Sequence, residues 1–439
     1  MTSSARNKYR RSTVAAVVIA NMIGTGVFTS LGFQLLEIQS GFVLLALWAV
    51  GGLIALCGAM SYAELGAALP RSGGEYNFLS RIYHPAAGFV SGWVSATIGF
   101  AAPSALAAMT FAAYLASSTS WQIGDNAEKA MAVALVIVLT AAHSISRRHS
   151  GGLQGFFTIL KVATIVAFSG AALVFVDNWQ PISVLPVEGD AALLSSGAFA
   201  VSLIYVSYAY TGWNAATYLS SELANPQKDL PVILFAGTAV VTTLYLMLNY
   251  VFLKVAPASA MAGQVEVGFI AASHAFGESG GKLAGIVLSL LLISTVSAMT
   301  LAGPRVLQVI GEDFRALEIL SRCNRDGLPY IAILLQSCLT VVFIVTSSFE
   351  SILVFAGFTL ALNSFVTVLG IFVLRWREPE LARPYRTFGY PFTPLVYLLL
   401  TLWTLTFVLL NKPAEGWFGL AVVVAGIFVY GLASRRNLE

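Results

Sequence analysis

The sequence predicts an all-helical membrane protein, because its composition and the length of its apolar segments do not fit a soluble domain. Hydrophobic residues make up 57% of the 439-residue chain, whereas charged residues make up only 10%. Soluble domains carry about 25% charged residues, since their surface must face water. Apolar stretches of about 20 residues, the length that spans a hydrocarbon core, recur along the whole chain. Most of the surface is therefore expected to face lipid.

Twelve apolar segments are long enough to cross a membrane, and polar or Pro/Gly-rich breaks separate them. They are predicted at residues 12–36, 41–68, 85–116, 129–146, 153–177, 194–221, 230–255, 283–308, 329–346, 350–375, 392–410 and 415–434. We expect residues 12–177 to form one five-helix unit and residues 194–375 to form a second, with helices 11 and 12 in residues 392–434. Residues 1–11 and 435–439 are the predicted tails.

Basic residues predict which side of the membrane each loop occupies, since short cytoplasmic loops are enriched in Lys and Arg. If the N-terminus is cytoplasmic, the outer loops hold only four of the 24 basic residues, namely Lys129, Lys254, Lys282 and Lys412. Lys161 lies inside a predicted helix, and all the other basic residues fall on the cytoplasmic side. We therefore predict a multi-pass protein of the plasma (inner) membrane with both termini in the cytoplasm.

The sequence holds no grouping that is typical of an enzyme, a metal site or a nucleotide site. Cys57, Cys323 and Cys338 have no metal-ligand spacing, and we expect them to be reduced packing residues. No Ser/His/Asp or Cys/His grouping falls at membrane depth, and no Walker A motif is present. The net charge of +3 is small and the basic residues form short clusters, which disfavours nucleic-acid binding. We expect no catalysis, no cofactor and no metal.

Two of the predicted helices carry a glycine-containing polar segment near the middle. Residues 21–28 of the first read NMIGTGVF, and residues 205–214 of the sixth read YVSYAYTGWN. Either segment alone could serve close helix packing. The pair is more informative, because these helices open the two five-helix units, and an odd number of helices gives the units opposite topology. Interrupted helices at matching positions of inverted repeats indicate a transporter binding site.

An interrupted helix at membrane depth exposes main-chain groups that suit a zwitterion. Free N–H groups at the start of a half-helix carry partial positive charge and attract a carboxylate. Carbonyls at the end of the preceding half-helix accept hydrogen bonds from an ammonium group. An α-amino acid carries both groups on one carbon, so the two interruptions predict a site for a small zwitterion.

Five motifs resemble those of the amino acid–polyamine–organocation superfamily, and are closest to its L-type amino acid transporter branch. They are IGTGVF at 23–28, LPRSGGEY at 69–76, YAYTGWN at 208–214 with Ser221-Glu222 and Asn225-Pro226 after it, GPRV at 303–306, and DGLP at 326–329. The resemblance implies a secondary amino acid transporter. Its twelve helices would comprise a LeuT-type core of 5+5 inverted repeats, with helices 1 and 6 broken, plus two C-terminal helices.

The resemblance also implies which residues bind the substrate. The substrate carboxylate would meet the N–H groups of Gly24, Thr25 and Gly26. The substrate amine would meet carbonyls at Met22, Tyr208 and Thr211. Tyr208, where the L-type branch tends to have phenylalanine, would also act as the extracellular gate. The remaining residues of the predicted site are Ile23, Ala209, Tyr210 and Asn214.

Lys161 lies in the middle of the fifth predicted helix, where a lysine is costly and therefore indicates function. It is about nine residues, or about 13 Å, from the cytoplasmic break at 150–152, so snorkelling to the interface would be strained. The resemblance implies that its ammonium replaces a sodium ion between the helix 1 break and helix 8 hydroxyls, namely those of Ser294, Thr295 and Ser297. Deprotonation of this lysine during transport would couple transport to protons.

The cargo is predicted to be a neutral amino acid. The middle portions of helices 1, 3, 6 and 8, which should line the side-chain pocket, carry no Asp or Glu, and a dicationic substrate would need such a counter-charge. Transport would proceed by alternating access without sodium, as an exchanger (antiporter) or as a proton-coupled symporter. A cationic amino acid or polyamine transporter of the same superfamily is the alternative. A channel or an amino-acid-sensing receptor fits less well, since two unlike broken helices supply no ring of selectivity groups.

The expected partners are the amino acid, the lipid bilayer and, for a symporter, protons. The sequence does not indicate a partner subunit.

Overall fold

The computed structural model describes residues 11–71, 73–119, 124–145, 150–218, 220, 223–324 and 327–436. Most of both predicted tails, the Ser221-Glu222 motif, Asp326 and the basic residues Arg147 and Arg148 lie outside these ranges. The helices are α1 (Arg11–Met22), α2 (Gly26–Gln34), α3 (Gly41–Ala68), α4 (Gly74–Ile82), α5 (Pro85–Val94), α6 (Ala101–Thr119), α7 (Asp125–Ile145), α8 (Ser150–Phe175), α9 (Asp190–Leu194), α10 (Gly197–Ala209), α11 (Ala215–Tyr218), α12 (Pro226–Val255), α13 (Ala258–Met261), α14 (Val267–Asp313), α15 (Tyr330–Thr346), α16 (Phe349–Arg377), α17 (Phe392–Asn411) and α18 (Pro413–Arg436).

The described ranges contain ten helical segments that are long and apolar enough to cross a membrane. They are Arg11–Gln34, Gly41–Ala68, Pro85–Thr119, Asp125–Ser144, Gly155–Phe175, Pro226–Val255, Val267–Asp313, Phe349–Arg377, Phe392–Asn411 and Pro413–Arg435. Two shorter apolar helices, α10 and α15, lie where the sixth and ninth segments are predicted. The predicted all-helical class is confirmed for the part of the chain described.

Two helices differ in shape from the simple spans that the sequence predicts. Between α5 and α6 the third span contains a π-helical turn, Ser95–Gly99. The eighth span is preceded by an additional helical segment, because α14 begins at Val267 and bends at Gly277, whose φ is +73°. Only glycine adopts this left-handed backbone readily, and hydropathy alone does not reveal such a bend.

Serine hydroxyls begin several of the spanning helices. The Ser40 hydroxyl accepts a hydrogen bond from the Val43 N–H at the start of α3, and Ser196 and Ser348 cap α10 and α16 in the same way. A helix leaves its first N–H groups without partners inside it, and a serine before the first turn satisfies one of them. These polar residues therefore set where the long apolar segments become helical.

Lipid-facing and protein-facing helices differ in how they expose apolar side chains. On α8, Ile159 and Phe175 are each 72% exposed, as expected for side chains in contact with lipid. The centre of the bundle is formed by helices whose side chains are nearly all buried, including α2 and α10. The two interrupted helices thus lie in the interior of the protein.

A buried ion-pair network joins α3 to the end of α16 and to the loop before α17. The Arg375 guanidinium donates two hydrogen bonds to the Glu64 carboxylate, at 2.8 and 2.7 Å, and the Thr387 N–H donates a third at 2.7 Å. The Arg383 Nε lies 3.6 Å from the same carboxylate. Arg375 also stacks over the Tyr390 ring, 3.6 Å from its centroid. One carboxylate therefore holds three parts of the chain together.

We predict that Glu64→Gln destabilises the protein by about 3 kcal/mol, because it leaves two partly buried guanidinium groups without their counter-charge. The melting temperature of the detergent-purified variant should fall clearly below that of the wild type. Glu278→Gln is the matched control, since Glu278 pairs with Lys282 on the surface and is 77% exposed there, and it should melt like the wild type. Equal melting temperatures for the two variants would contradict this role of Glu64.

Candidate functional site

The first spanning helix is interrupted between α1 and α2, within the predicted glycine-containing segment. α1 ends at Met22 and α2 begins at Gly26, and between them the Gly24 N–H turns back to the Met22 carbonyl at 2.8 Å. The first N–H groups of α2 have no partner inside the helix. All nine residues of α2 are buried, so these donors point into the protein interior, where a ligand with an anionic group would suit them.

The sixth predicted helix is interrupted between Ala209, where α10 ends, and Ala215, where α11 begins. Gly212, in this interruption, has φ +105°. A Cβ atom at this position would lie 2.8 Å from the carbonyl oxygen of Asn21. Glycine is thus required both by the backbone conformation and by the close approach of α1.

The two interruptions meet at one glycine and leave open space at another. A Cβ atom on Gly26 would lie 2.6 Å from the Cα atom of Ala209, so the start of α2 packs directly on the end of α10. A Cβ atom on Gly24 would meet no atom within 4 Å. The space beside Gly24 therefore adjoins the free main-chain groups of the first interruption.

Tyr208 and Thr211 take part in hydrogen bonding at the second interruption. The Thr211 hydroxyl donates to the Tyr208 carbonyl at 2.7 Å, which is one of the carbonyls predicted to meet a substrate amine. The Thr211 N–H donates to the same carbonyl at 3.0 Å. Both lone pairs of this oxygen are therefore occupied in this conformation. The Tyr208 side chain is only 5% exposed, and its hydroxyl faces the Thr25 side chain. Tyr208 thus spans from one interruption to the other.

Other residues of the predicted site are committed to packing. The Tyr210 hydroxyl donates to the Trp48 carbonyl at 3.0 Å, so this side chain packs against α3. Ile23 and Ala209 are buried in the main hydrophobic core. The Asn214 amide donates to the carboxylate of Glu75. The side chains of these four residues are thus occupied by contacts within the protein.

Tyr245 on α12 joins the two interruptions, and sequence reasoning missed it. Its hydroxyl lies 2.5 Å from the Met22 carbonyl and 3.1 Å from the Ala209 carbonyl. Met22 and Ala209 are the last residues of α1 and α10, so one hydroxyl contacts the carbonyl ends of both half-helices. A tyrosine within an apolar helix needs a partner for its hydroxyl. The sequence could therefore have indicated that the Tyr245 hydroxyl needs a hydrogen-bond partner. It could not have indicated which carbonyls accept the bond.

Lys161 is buried, and its ammonium donates to the Thr295 hydroxyl at 2.9 Å. The predicted group of helix 8 hydroxyls is divided. The Ser294 hydroxyl is buried without a partner among the described residues, and Ser297 hydrogen-bonds the Nε2 atom of His143 at 2.8 Å instead. Residues two apart in a helix point about 200° away from each other, so Ser297 faces a different neighbour. In the described part of the chain, no hydrogen bond joins Lys161 to the first interruption.

A metal-ligand cluster is not seen in this region. Among the residues described, no group of three or more His, Cys, Asp or Glu side chains is placed to hold an ion.

We predict that Gly26→Ala and Gly24→Ala differ sharply in stability. The methyl group added by Gly26→Ala would overlap the α10 backbone, which must then shift, at a cost of about 1–3 kcal/mol. The methyl group added by Gly24→Ala would enter open space, and this variant should have a melting temperature near that of the wild type. Thermal unfolding of both purified variants checks this, and a stable Gly26→Ala protein would contradict the packing of the two interruptions.

Known proteins resemble this chain along nearly its whole length. The chain matches the family described as amino acid permease over residues 10–430. It is 30% identical over 434 residues to the large neutral amino acids transporter small subunit 2 of Oryctolagus cuniculus, covering 95% of this chain and 78% of the relative. Identity is 29% to the Asc-type amino acid transporter 1 of Mus musculus, covering 95% and 79%, and 26% to the b(0,+)-type amino acid transporter 1 of Homo sapiens, covering 95% and 86%. As its motifs predict, the chain belongs to the amino acid permease family within the amino acid–polyamine–organocation superfamily, a family of membrane transporters and not of enzymes.

Proposed function

We propose that this protein carries neutral L-amino acids across the membrane by alternating access, independently of sodium, as an exchanger or a proton-coupled symporter. The observation that carries the proposal is the meeting of two helix interruptions at Gly26, with open space beside Gly24. The free N–H groups at the start of α2 suit a carboxylate, and the carbonyls at the ends of α1 and α10 suit an ammonium. A zwitterion satisfies both sets at once.

In this proposal the chain crosses the membrane twelve times, with both termini in the cytoplasm. The short helices α10 and α15 supply the sixth and ninth crossings beside the ten longer segments. Residues 12–177 and 194–375 are the two inverted repeats, and 392–434 adds two helices. The spacing of the two interruptions, five crossings apart, supports this division, because each then falls in the opening helix of its repeat.

The proposed roles within the site are those that the family resemblance implies. The N–H groups of Gly24, Thr25 and Gly26 would bind the carboxylate, and the carbonyls of Met22, Tyr208 and Thr211 would bind the amine. Substrate would then replace hydrogen bonds that the Gly24 N–H and the Met22 and Tyr208 carbonyls make within the protein. Tyr208 would gate the site from the outer side, because its buried ring reaches from α10 to Thr25. Contacts of Ile23, Ala209, Tyr210 and Asn214 with substrate would come chiefly from their main chain.

The neutral cargo is supported by the charges near the site. The middle portions of spans 1, 3, 6 and 8 carry no acidic residue. Glu75, which contacts Asn214, already accepts hydrogen bonds from three protein donors. A second positive charge on the substrate would find no free carboxylate there, which disfavours the cationic amino acid and polyamine alternative.

The names of several relatives bear on a partner subunit, which the sequence did not indicate. The large neutral amino acids transporter is described as a small subunit, which implies that it works with a second chain. If this chain has such a companion, the contact would be noncovalent. Cys57 lies within α3 and Cys338 within α15, and Cys323 is on the proposed cytoplasmic side. None of the three cysteines therefore lies in an outer loop.

We predict that neutral amino acids raise the melting temperature of the purified protein, because ligands that bind only the folded state stabilise it, by about 2.7 kcal/mol at one hundred times Kd. A screen of the twenty amino acids and of polyamines measures this. Gly24→Ala should melt normally alone but lose the ligand-induced increase, since its methyl group fills the open space.

Counterflow of a radiolabelled ligand from this screen into proteoliposomes then tests transport. Saturable counterflow that is unchanged when choline replaces sodium is expected. A melting response to arginine or polyamines alone would favour the cationic alternative, and non-saturable flux would favour a channel.

We predict that Lys161→Met lowers transport at least about tenfold, because the Thr295 hydroxyl loses a charged hydrogen-bond donor. Ser297→Ala is the control, since Ser297 lies on the same helix but bonds His143, and it should transport nearly like the wild type. Uptake is measured over a range of pH. Unchanged uptake by Lys161→Met at every pH would show that this lysine has no part in transport.

A further inference from the structure

Glu75 is a buried carboxylate that the proposed substrate site does not use. It lies in α4, the short helix between the second and third spans, and is 1% exposed. One of its oxygens accepts from the Tyr62 hydroxyl at 3.1 Å and from the Asn214 amide, and the other accepts from the Tyr218 hydroxyl at 2.5 Å. Within the described residues, no Lys, Arg or His forms a salt bridge with it.

A buried carboxylate without a cation beside it is costly unless hydrogen bonds replace the lost water. Here three neutral donors do so, and each is strengthened by the charge that it meets. Asn214 belongs to the interruption of the sixth span, and Tyr218 belongs to α11, directly after it. Two of the three donors therefore come from the interruption and from α11, which follows it.

Two glycines bring the carboxylate to this half-helix. Gly73 has φ +125° and Gly74 has φ +51°, both in the left-handed region. A Cβ atom on Gly74 would lie 2.9 Å from the Tyr218 ring, so no larger residue could let α4 approach so closely. The two glycines before Glu75 thus have a structural reason, which is the close approach of α4 to Tyr218.

The other end of α4 is attached to α16 and not to the interrupted helix. The Tyr83 hydroxyl donates to the Val366 carbonyl at 3.0 Å, Arg377 donates to the Ile82 carbonyl at 2.8 Å, and Arg81 pairs with Glu378. One end of α4 is therefore attached to α16. At the other end, Glu75 holds α11, the helix that follows the interruption after α10.

We propose that Glu75 is a positioning residue for transport. Its carboxylate orients the Asn214 amide beside the substrate site and holds α11 against α4, and this contact must be released whenever α11 moves during the transport cycle. The effect on transport rests on the proposed function, but the contact of Glu75 with Asn214 and Tyr218 can be tested without any substrate. Weakening it changes the relative populations of the conformations that open to either side.

Hydrogen–deuterium exchange of the full-length purified protein tests the contact directly. Glu75→Gln keeps the side-chain shape but removes the charge and one acceptor oxygen. Exchange in peptides covering residues 210–218 should become about tenfold faster, because charge-assisted bonds to this segment are lost. Glu378→Gln is the matched control, since its partner Arg81 lies at the other end of α4, and it should leave this segment unchanged.

Tyr218→Phe is the second variant, because it removes one donor and leaves the buried charge with two others. It should speed exchange less than Glu75→Gln does, and the double variant should add little to Glu75→Gln, since both act on one contact. Wild-type exchange at 210–218 in Glu75→Gln would overturn the proposal. If Glu75→Gln does not fold, wild-type exchange in Tyr218→Phe would overturn it equally.

Transport kinetics separate this inference from the proposed function. In oriented proteoliposomes, Glu75→Gln should change the ratio of the KM values measured from the two sides by several-fold, whereas Glu378→Gln should not. If the wild-type protein carries no amino acid, the proposed function fails while the exchange result still decides the role of Glu75. If the wild type transports and Glu75→Gln keeps the wild-type KM ratio, the positioning role fails while the proposed function stands.

Discussion

Main-chain polar groups must find partners inside a membrane protein, and the interior of this structure is organised by how two broken helices meet that requirement. Hydrocarbon supplies no hydrogen bonds, so a helix can stop at membrane depth only where protein or ligand groups take over. The carbonyls at the ends of α1 and α10 reach the Tyr245 hydroxyl, and the Gly24 N–H returns to Met22. The N–H groups that begin α2 have no such helical partner, which is why a ligand carboxylate suits them.

The two interruptions pack closely at Gly26 and Gly212, whereas space remains open beside Gly24. Gly26 lets α2 touch Ala209, and Gly212 lets the second interruption touch Asn21. Behind them, the Tyr210 and Tyr245 rings lie 5.0 Å apart, and Tyr245 meets Trp48 edge-on at 5.5 Å. The aromatic side chains therefore pack at the ends of α1 and α10, where the Tyr245 hydroxyl contacts both carbonyls.

The buried charges fall into two classes. Glu64 is surrounded by two arginines, and its network serves to join helices. Lys161 and Glu75 are different, since in the described part of the chain each meets only neutral donors or acceptors. A charge kept buried without a counter-ion is balanced only by its hydrogen bonds, so it responds to movement of the helices that supply them. Both of these residues contact helices of the proposed transport core.

The sequence by itself determined the class of the protein, the approximate positions of its apolar helices, the positions of both interruptions and the placement of Lys161 within a helix. These follow from local properties, namely the apolar length of each segment, glycine within a helix, and a lysine at membrane depth. Only the tertiary structure decided which groups meet. Thr295 rather than Ser297 faces Lys161 because of helical phase, and Tyr245 and Glu75 act on residues brought near by folding. Hydrogen-bond partners distant in the chain leave no mark in local pattern, since any buried tyrosine or glutamate needs a partner but the packing of helices selects it.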